Sequence, residues 1–211
     1  TSVCGRQPAG QLCGSYQRHH AENVTITGEG TIDANAQNGD WYQNPKKNTI
    51  ACVRACSSPA VPKKNVVLHG VLVCNSYSWT IHPTYSENVD ILNIRIRNSS
   101  TSPNTDGIDP ESCKNVNIIG NHVHVGDDCI ALKSGKLFLG MKLHVPCENV
   151  IIRNCCLSRG HGGLVIGSEM SGGVKKRHRD PMPDGPYGPG SACQDPPRAR
   201  QVRHHRRTGI P

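Results

Sequence analysis

One dipeptide keeps returning in this chain, and it restricts the fold more than any other feature. Asn-Val stands at 23–24, 65–66, 88–89, 115–116 and 149–150. Each copy opens a short run in which apolar and polar residues alternate, among them Val24-Thr25-Ile26, Ile91-Leu92-Asn93-Ile94 and Asn117-Ile118-Ile119. Alternation with a period of two marks a half-buried strand. The last three intervals between copies are 23, 27 and 34 residues. A repeat of that length made of strand and turn, with no helical period, cannot bury its apolar face alone. Stacked copies can, which predicts an all-β fold, a right-handed parallel β-helix incomplete at both ends. Asn at a fixed offset suits its turns, because a short amide tolerates the left-handed conformation and can pair with the Asn one coil away. A β-sandwich also predicts many short strands, but not Asn-Val at recurring offsets. The expected inner column is Ile81, Ile108, Ile130 and Leu164.

Composition agrees. Among 211 residues, 22 Gly and 15 Pro argue against a helix bundle, and 4% aromatic content leaves the core to Val, Ile, Leu and Cys. The net charge of +8 would suit an anionic partner, but most of the excess lies after Val174. The cysteine number is odd, at 11, so no pairing can be read from it. Cys52 and Cys56 have no His or second Cys pair at zinc-finger spacing, so no metal site is expected. No apolar run approaches the ~18 residues of a membrane span. The chain opens without Met or a signal-peptide pattern, and its N-terminus is expected to be incomplete. Three regions are expected: an irregular segment at 1–22, the β-helix at 23–175, and a disordered basic tail at 176–211. Residues 34–64 interrupt the stack as a projecting loop.

Chemistry concentrates in three polar clusters, each preceding an apolar run: Asn104-Thr105-Asp106-Gly107, Gly126-Asp127-Asp128-Cys129 and Gly160-His161-Gly162-Gly163. Aligning the runs on Ile108, Ile130 and Leu164 puts Asp106 and Asp128 two residues before the anchor, and Asp127 and His161 three before it. On strands stacked ~4.8 Å apart, three carboxylates and one imidazole share a face. Paired carboxylates are what acid/base cleavage of a glycosidic bond requires, ~6.5–9.5 Å apart where the bond is cleaved with inversion. Carboxylates this crowded cannot all ionise normally, so one is expected to retain a proton. A lone Asp in a turn would be read as a backbone cap; four groups in one register argue for a site. His82, one coil earlier, could face the same groove.

Asn104-Thr-Asp-Gly-Ile-Asp109, Gly126-Asp-Asp-Cys-Ile-Ala131, and Gly160-His-Gly162 followed by Ile166-Gly-Ser-Glu169 resemble three of the four motifs of the polygalacturonases of glycoside hydrolase family 28. The segments 109–114 and 130–136 look more like the exo-acting bacterial and plant members than the fungal endo-enzymes. The resemblance covers about Val24 to Lys175 and implies a parallel β-helix that hydrolyses α-1,4-linked galacturonate in pectin with inversion and without a cofactor. It implies Asp127 as general acid, Asp106 and Asp128 as the pair activating water, and His161 in support. Asn104, Lys133 and His82 are the expected substrate-binding residues; Lys133 and Lys136 either face a galacturonate carboxylate or mark a solvated strand end, and Trp41 and Tyr42 either stack on a sugar or cap the first coil. It further implies a secreted, cell-wall location and a monomer whose partner is polygalacturonate, not nucleic acid or membrane.

After Val174-Lys175 the resemblance ends. The fourth motif, Arg-Ile-Lys or Arg-Val-Lys, is missing, and a Pro-, Gly-, Arg- and His-rich tail stands in its place. The chain as printed is therefore expected to be weak or inactive, with a non-catalytic pectin-binding remnant or a basic polyanion-binding solenoid as the alternatives. The tail also fits a shifted reading frame beginning at Lys176. In that frame the codons allow Asn-Val at 176–177, 27 residues after Asn149, and those of Ala192 to Asp195 allow Arg-Val-Lys.

Overall fold

The structure, a computed structural model, describes residues 22–39, 42, 54–55 and 63–179, without the side chains of 54–55 and 177–179. Trp41, Cys52 and Cys56 lie outside the described residues, as does nearly all of the two terminal regions. The strands are β1 (Glu22–Thr27), β2 (Thr31–Asp33), β3 (Arg54–Ala55), β4 (Lys63–His69), β5 (Leu72–Cys74), β6 (His82–Pro83), β7 (Ser86–Leu92) and β8 (Arg95–Arg97). They continue as β9 (Lys114–Ile119), β10 (His122–His124), β11 (Ile130–Leu132), β12 (Cys147–Arg153), β13 (Cys156–Ser158), β14 (Leu164–Ile166) and β15 (Val174–Arg179), with one α-helix among the described residues, α1 (Leu137–Leu143).

Every strand pairing among the described residues is parallel, and pairs join strands of successive coils. One sheet runs β1-β4-β7-β9-β12-β15, a second β2-β5-β8-β10-β13, and the third face holds the short pairs β3-β6 and β11-β14. This is the right-handed parallel β-helix. Its interior holds Val89, Ile91, Ile96, Val116, Ile118, Val123, Val150 and Ile152, all buried, with Cys113, Cys147 and Cys155 filling core positions as free thiols. The expected column forms on the third face: Ile81 bridges Ile108, Ile108 bridges Ile130, and Ile130 pairs with Leu164.

The recurring Asn forms a ladder. Asn65 donates through Nδ2 to Asn23 Oδ1 at 2.8 Å, Asn88 to Asn65, Asn115 to Asn88 and Asn149 to Asn115 at 3.0 Å each. All five adopt the left-handed backbone, with φ between 53° and 58°. Each amide can accept from one neighbour and donate to the other, which Asp, an acceptor only when ionised, could not do along the whole row.

Two features depart from the sequence reading. First, α1 interrupts the strand-and-turn repeat. Its insertion explains why the interval from Asn115 to Asn149 is longer than the two before it, and it leaves Leu137, Phe138, Leu139 and Met141 exposed. Second, the parallel ladder passes the expected boundary at Lys175 and continues to Arg179. Glu148 pairs with Lys175 and Val150 with Arg177, so Lys176 stands opposite Asn149 with φ 46°. Lys176 thus occupies an asparagine-ladder position with a side chain that can only donate. Lys176→Asn is expected to stabilise the chain by about 1–2 kcal/mol, by relieving the left-handed penalty and adding one amide hydrogen bond. Urea unfolding checks this, and an unchanged or lowered midpoint would rule the ladder role out.

Candidate active site

The three clusters sit where the chain leaves the second sheet for the third face. Backbone hydrogen bonds hold them in register: Gly107 N–H to Asp128 O at 2.9 Å, Cys129 N–H to Gly162 O at 2.8 Å and His161 N–H to Asp127 O at 3.0 Å. Thr105 ties the first two clusters together, donating to Ser102 O and accepting from Gly126 N–H. Gly107, Gly126, Gly160 and Gly162 are required by close approach. A Cβ on Gly160 would stand 2.6 Å from both Asp127 O and Cys129 Sγ, and one on Gly126 would overlap Ser102 O.

This packing brings together Asp106, Asp127 and Asp128, with one carboxylate oxygen from each lying within 4.8 Å of the others. His161, 75% exposed, places Nδ1 3.1 Å from Asp127 Oδ1. The three carboxyls differ in depth: Asp106 is 5% exposed at its side chain, while Asp127 is 26% exposed at the mouth. Three oxygens this close could also attract a cation, but Lys133 Nζ, 3.8 Å from Asp106 Oδ2, already supplies a fixed positive charge. We therefore treat the cluster as carboxyl chemistry.

Burial pushes the Asp106 carboxyl up to about 7; Lys133 opposes this, and the neighbouring charges of Asp127 and Asp128 add to it. Asp128 is also raised, by burial and then by Asp127. Asp109, three residues after Asp106, is fully buried, neither of its oxygens has a hydrogen-bond partner, and burial raises it well above the carboxylate range. In the open cleft the proton expected somewhere in the cluster thus sits on its deepest members.

A raised carboxyl holds its proton in the folded state at pH values where the unfolded chain has released it. Stability is then fully present below the unfolded pKa of ~3.9 and falls as pH rises through about 7. Denaturation midpoints are expected to decline from pH 4 to pH 7, and Asp106→Asn should flatten that decline. A midpoint rising over this range would contradict the assignment.

The substrate-binding candidates fall in different places. Asn104 is half-buried beside Asp106, with φ 55°. His82 lies inside rather than on the groove: it is 2% exposed, with Nε2 2.6 Å from Glu111 Oε2 and its ring edge-on to Trp79 at 4.8 Å. Lys133 is likewise 3% exposed and bound to Glu169 and Gly167, whereas Lys136 is exposed at the start of α1. Both buried groups stand at odd offsets from the Ile column, on the other side of their strands, where contacts with Trp79, Glu111 and Glu169 cover them. Tyr42 donates to Ser76 O. Trp79, Asp109, Glu111 and Glu169 were not singled out from sequence. Glu169 could have been: aligning Leu132 with Ile166 places it on the coil after Lys133.

The sequence matches the family described as glycosyl hydrolases family 28 over residues 10–178. It is 37% identical over 155 residues to a probable polygalacturonase of Vitis vinifera, covering 72% of this chain and 31% of the relative. It is 29% identical over 156 residues to an endo-polygalacturonase of Pectobacterium carotovorum subsp. carotovorum, covering 70% and 36%. The chain spans about a third of the length of these relatives. Among solved structures, the hyperthermoactive exopolygalacturonase of Thermotoga maritima superposes with a TM-score of 0.65 at 34% identity, over 76% of this chain and 44% of that one. The polygalacturonase of Erwinia carotovora ssp. carotovora gives 0.61 at 25%, over 82% and 49%.

Proposed function

The chain belongs to the glycosyl hydrolases of family 28, and on that premise we propose that it carries the catalytic face of a polygalacturonase, hydrolysing α-1,4-galacturonosyl bonds in pectin. The observation that carries this reading is the trio Asp106, Asp127 and Asp128, held within 4.8 Å on two stacked coils and open at one side.

In the mechanism proposed, Asp127 donates the proton to the leaving oxygen. It is the carboxyl at the mouth, and His161 orients it. Asp106 and Asp128 take the proton of the attacking water. The nearest oxygens are closer than the separation expected for inversion, but they suit a water bound between two carboxylates: hydrogen bonds of ~2.7 Å from one water to each span up to about 5 Å. Asp106, raised by burial to about 7, takes up that role once it has released its own proton. Asn104 lies beside this cluster and contacts the sugar. Secretion to a cell-wall substrate and a monomeric state belong to the same proposal.

Incubating the chain with polygalacturonate and following reducing ends tests it. Slow release that chelators do not affect is expected. Binding without any release would favour the non-catalytic remnant, and equal binding of heparin would favour the polyanion-binding solenoid.

A further inference from the structure

The ammonium of Lys133 joins three coils. Its backbone pairs with Glu111 one coil earlier. Its Nζ donates to Gly167 O at 3.3 Å and to Glu169 Oε2 at 3.1 Å one coil later, stands 3.8 Å from Asp106 Oδ2, and lies 4.1 Å from the centre of the Trp79 ring. At 3% exposure it is out of reach of a substrate carboxylate in the groove. Lysine has three N–H donors; two are used by Gly167 and Glu169, so Asp106 and Glu169 share one positive charge.

We propose that Lys133 is a positioning residue of the carboxylate cluster: its buried ammonium, divided between Asp106 and Glu169 and braced on Trp79, sets the charge of Asp106 and so the pH at which that carboxylate can accept a proton from water. The coupling is a property of the free protein; only its consequence for turnover rests on the galacturonan-hydrolase reading.

The charges facing the pair are few. Asp106 is faced by Lys133, Asp127, Asp128 and Asp109, and the ammonium by Asp109, Asp106 and Glu169. His161 acts on Asp128 and Asp127, and the His82–Glu111 pair lies on the coil behind, with Trp79 against His82. Burial works against the ammonium, but the carboxylates of Asp109, Asp106 and Glu169 outweigh it and raise Lys133. Glu169 is correspondingly lowered, the Lys133 charge overcoming burial. An opposite charge within ~4–6 Å lowers a carboxylate by about 1–3 units, so withdrawing Lys133 should release Asp106 upward by that amount.

The test is a carboxyl ¹³C NMR titration of the full chain, with Asp106 identified by the resonance lost in Asp106→Asn. In Lys133→Met the Asp106 midpoint is expected to rise by about 1–3 units, and in Lys133→Arg to return close to that of the unsubstituted chain. Glu169→Gln removes the competing carboxylate, so Asp106 should move the other way, downward. An Asp106 midpoint unmoved in folded Lys133→Met overturns the proposal. Should that variant fail to fold, an unmoved midpoint in Glu169→Gln overturns it instead. In turnover, the acid limb of kcat/KM should shift to higher pH in Lys133→Met with KM little changed; a raised KM with an unmoved limb would put Lys133 on the substrate and refute the positioning role. Shifted Asp106 midpoints without turnover in any variant would leave this coupling standing and remove the hydrolase reading.

Discussion

Asp127→Asn is expected to lower the rate of galacturonan hydrolysis by about 10²–10⁴-fold, the contribution of a positioned general acid, while leaving the fold unchanged. The substitution keeps shape and hydrogen bonding. The backbone oxygen of Asp127 still accepts from His161 N–H, and an amide oxygen can stand where Oδ1 meets the imidazole at 3.1 Å. Only the transferable proton is lost. Because the side chain is a quarter exposed, its replacement removes no core contact, and thermal unfolding should move by no more than a surface change, within about 0.5 kcal/mol. A variant with near-normal turnover would show that another carboxyl delivers the proton. Asp106, raised by burial to about 7, would then be the first alternative.

The second large effect is on stability. Ile108→Ala is expected to cost about 2–5 kcal/mol, a large share of the ~5–15 kcal/mol that holds a domain folded. Ile108 is completely buried, bridges Ile81 on one side and Ile130 on the other, and stands between Asp106 and Asp109. The coils above and below are fixed by their own ladders, so the cavity cannot close by local collapse. Ile151 pairs with Asn117 and His178 on the outer side of its strand and is only half-buried. Its truncation should cost clearly less, and equal losses in urea unfolding would mean that the column does not carry the core.

The architecture was legible because a β-helix writes its period into the chain. The offsets of Asn23, Asn65, Asn88, Asn115 and Asn149 become one row of amide hydrogen bonds, and the anchors Ile81, Ile108, Ile130 and Leu164 become one bridged column. The same alignment placed Asp127 opposite His161 and Asp106 beside Asp128, because residues at equal offsets on stacked strands must be neighbours. Depth was not legible. Whether Lys133 lines the groove or lies beneath it depends on how a long side chain crosses to Glu169 and Trp79, contacts between coils that no offset encodes. His82 entered the wall for a similar reason, drawn to Glu111 one coil away. Helix α1 was missed because its run Leu-Phe-Leu-Gly-Met-Lys-Leu leaves apolar residues exposed, so it has no amphipathic period to read.

The central claim is that three carboxyls on adjacent coils cleave a galacturonan chain. It is tested most directly by following trigalacturonate with the full chain by ¹H NMR, in parallel with Asp127→Asn. The account predicts newly formed reducing ends in the β configuration, inverted from the α linkage, and their loss in the variant. First-formed ends in the α configuration, or release undiminished by Asp127→Asn, would contradict it.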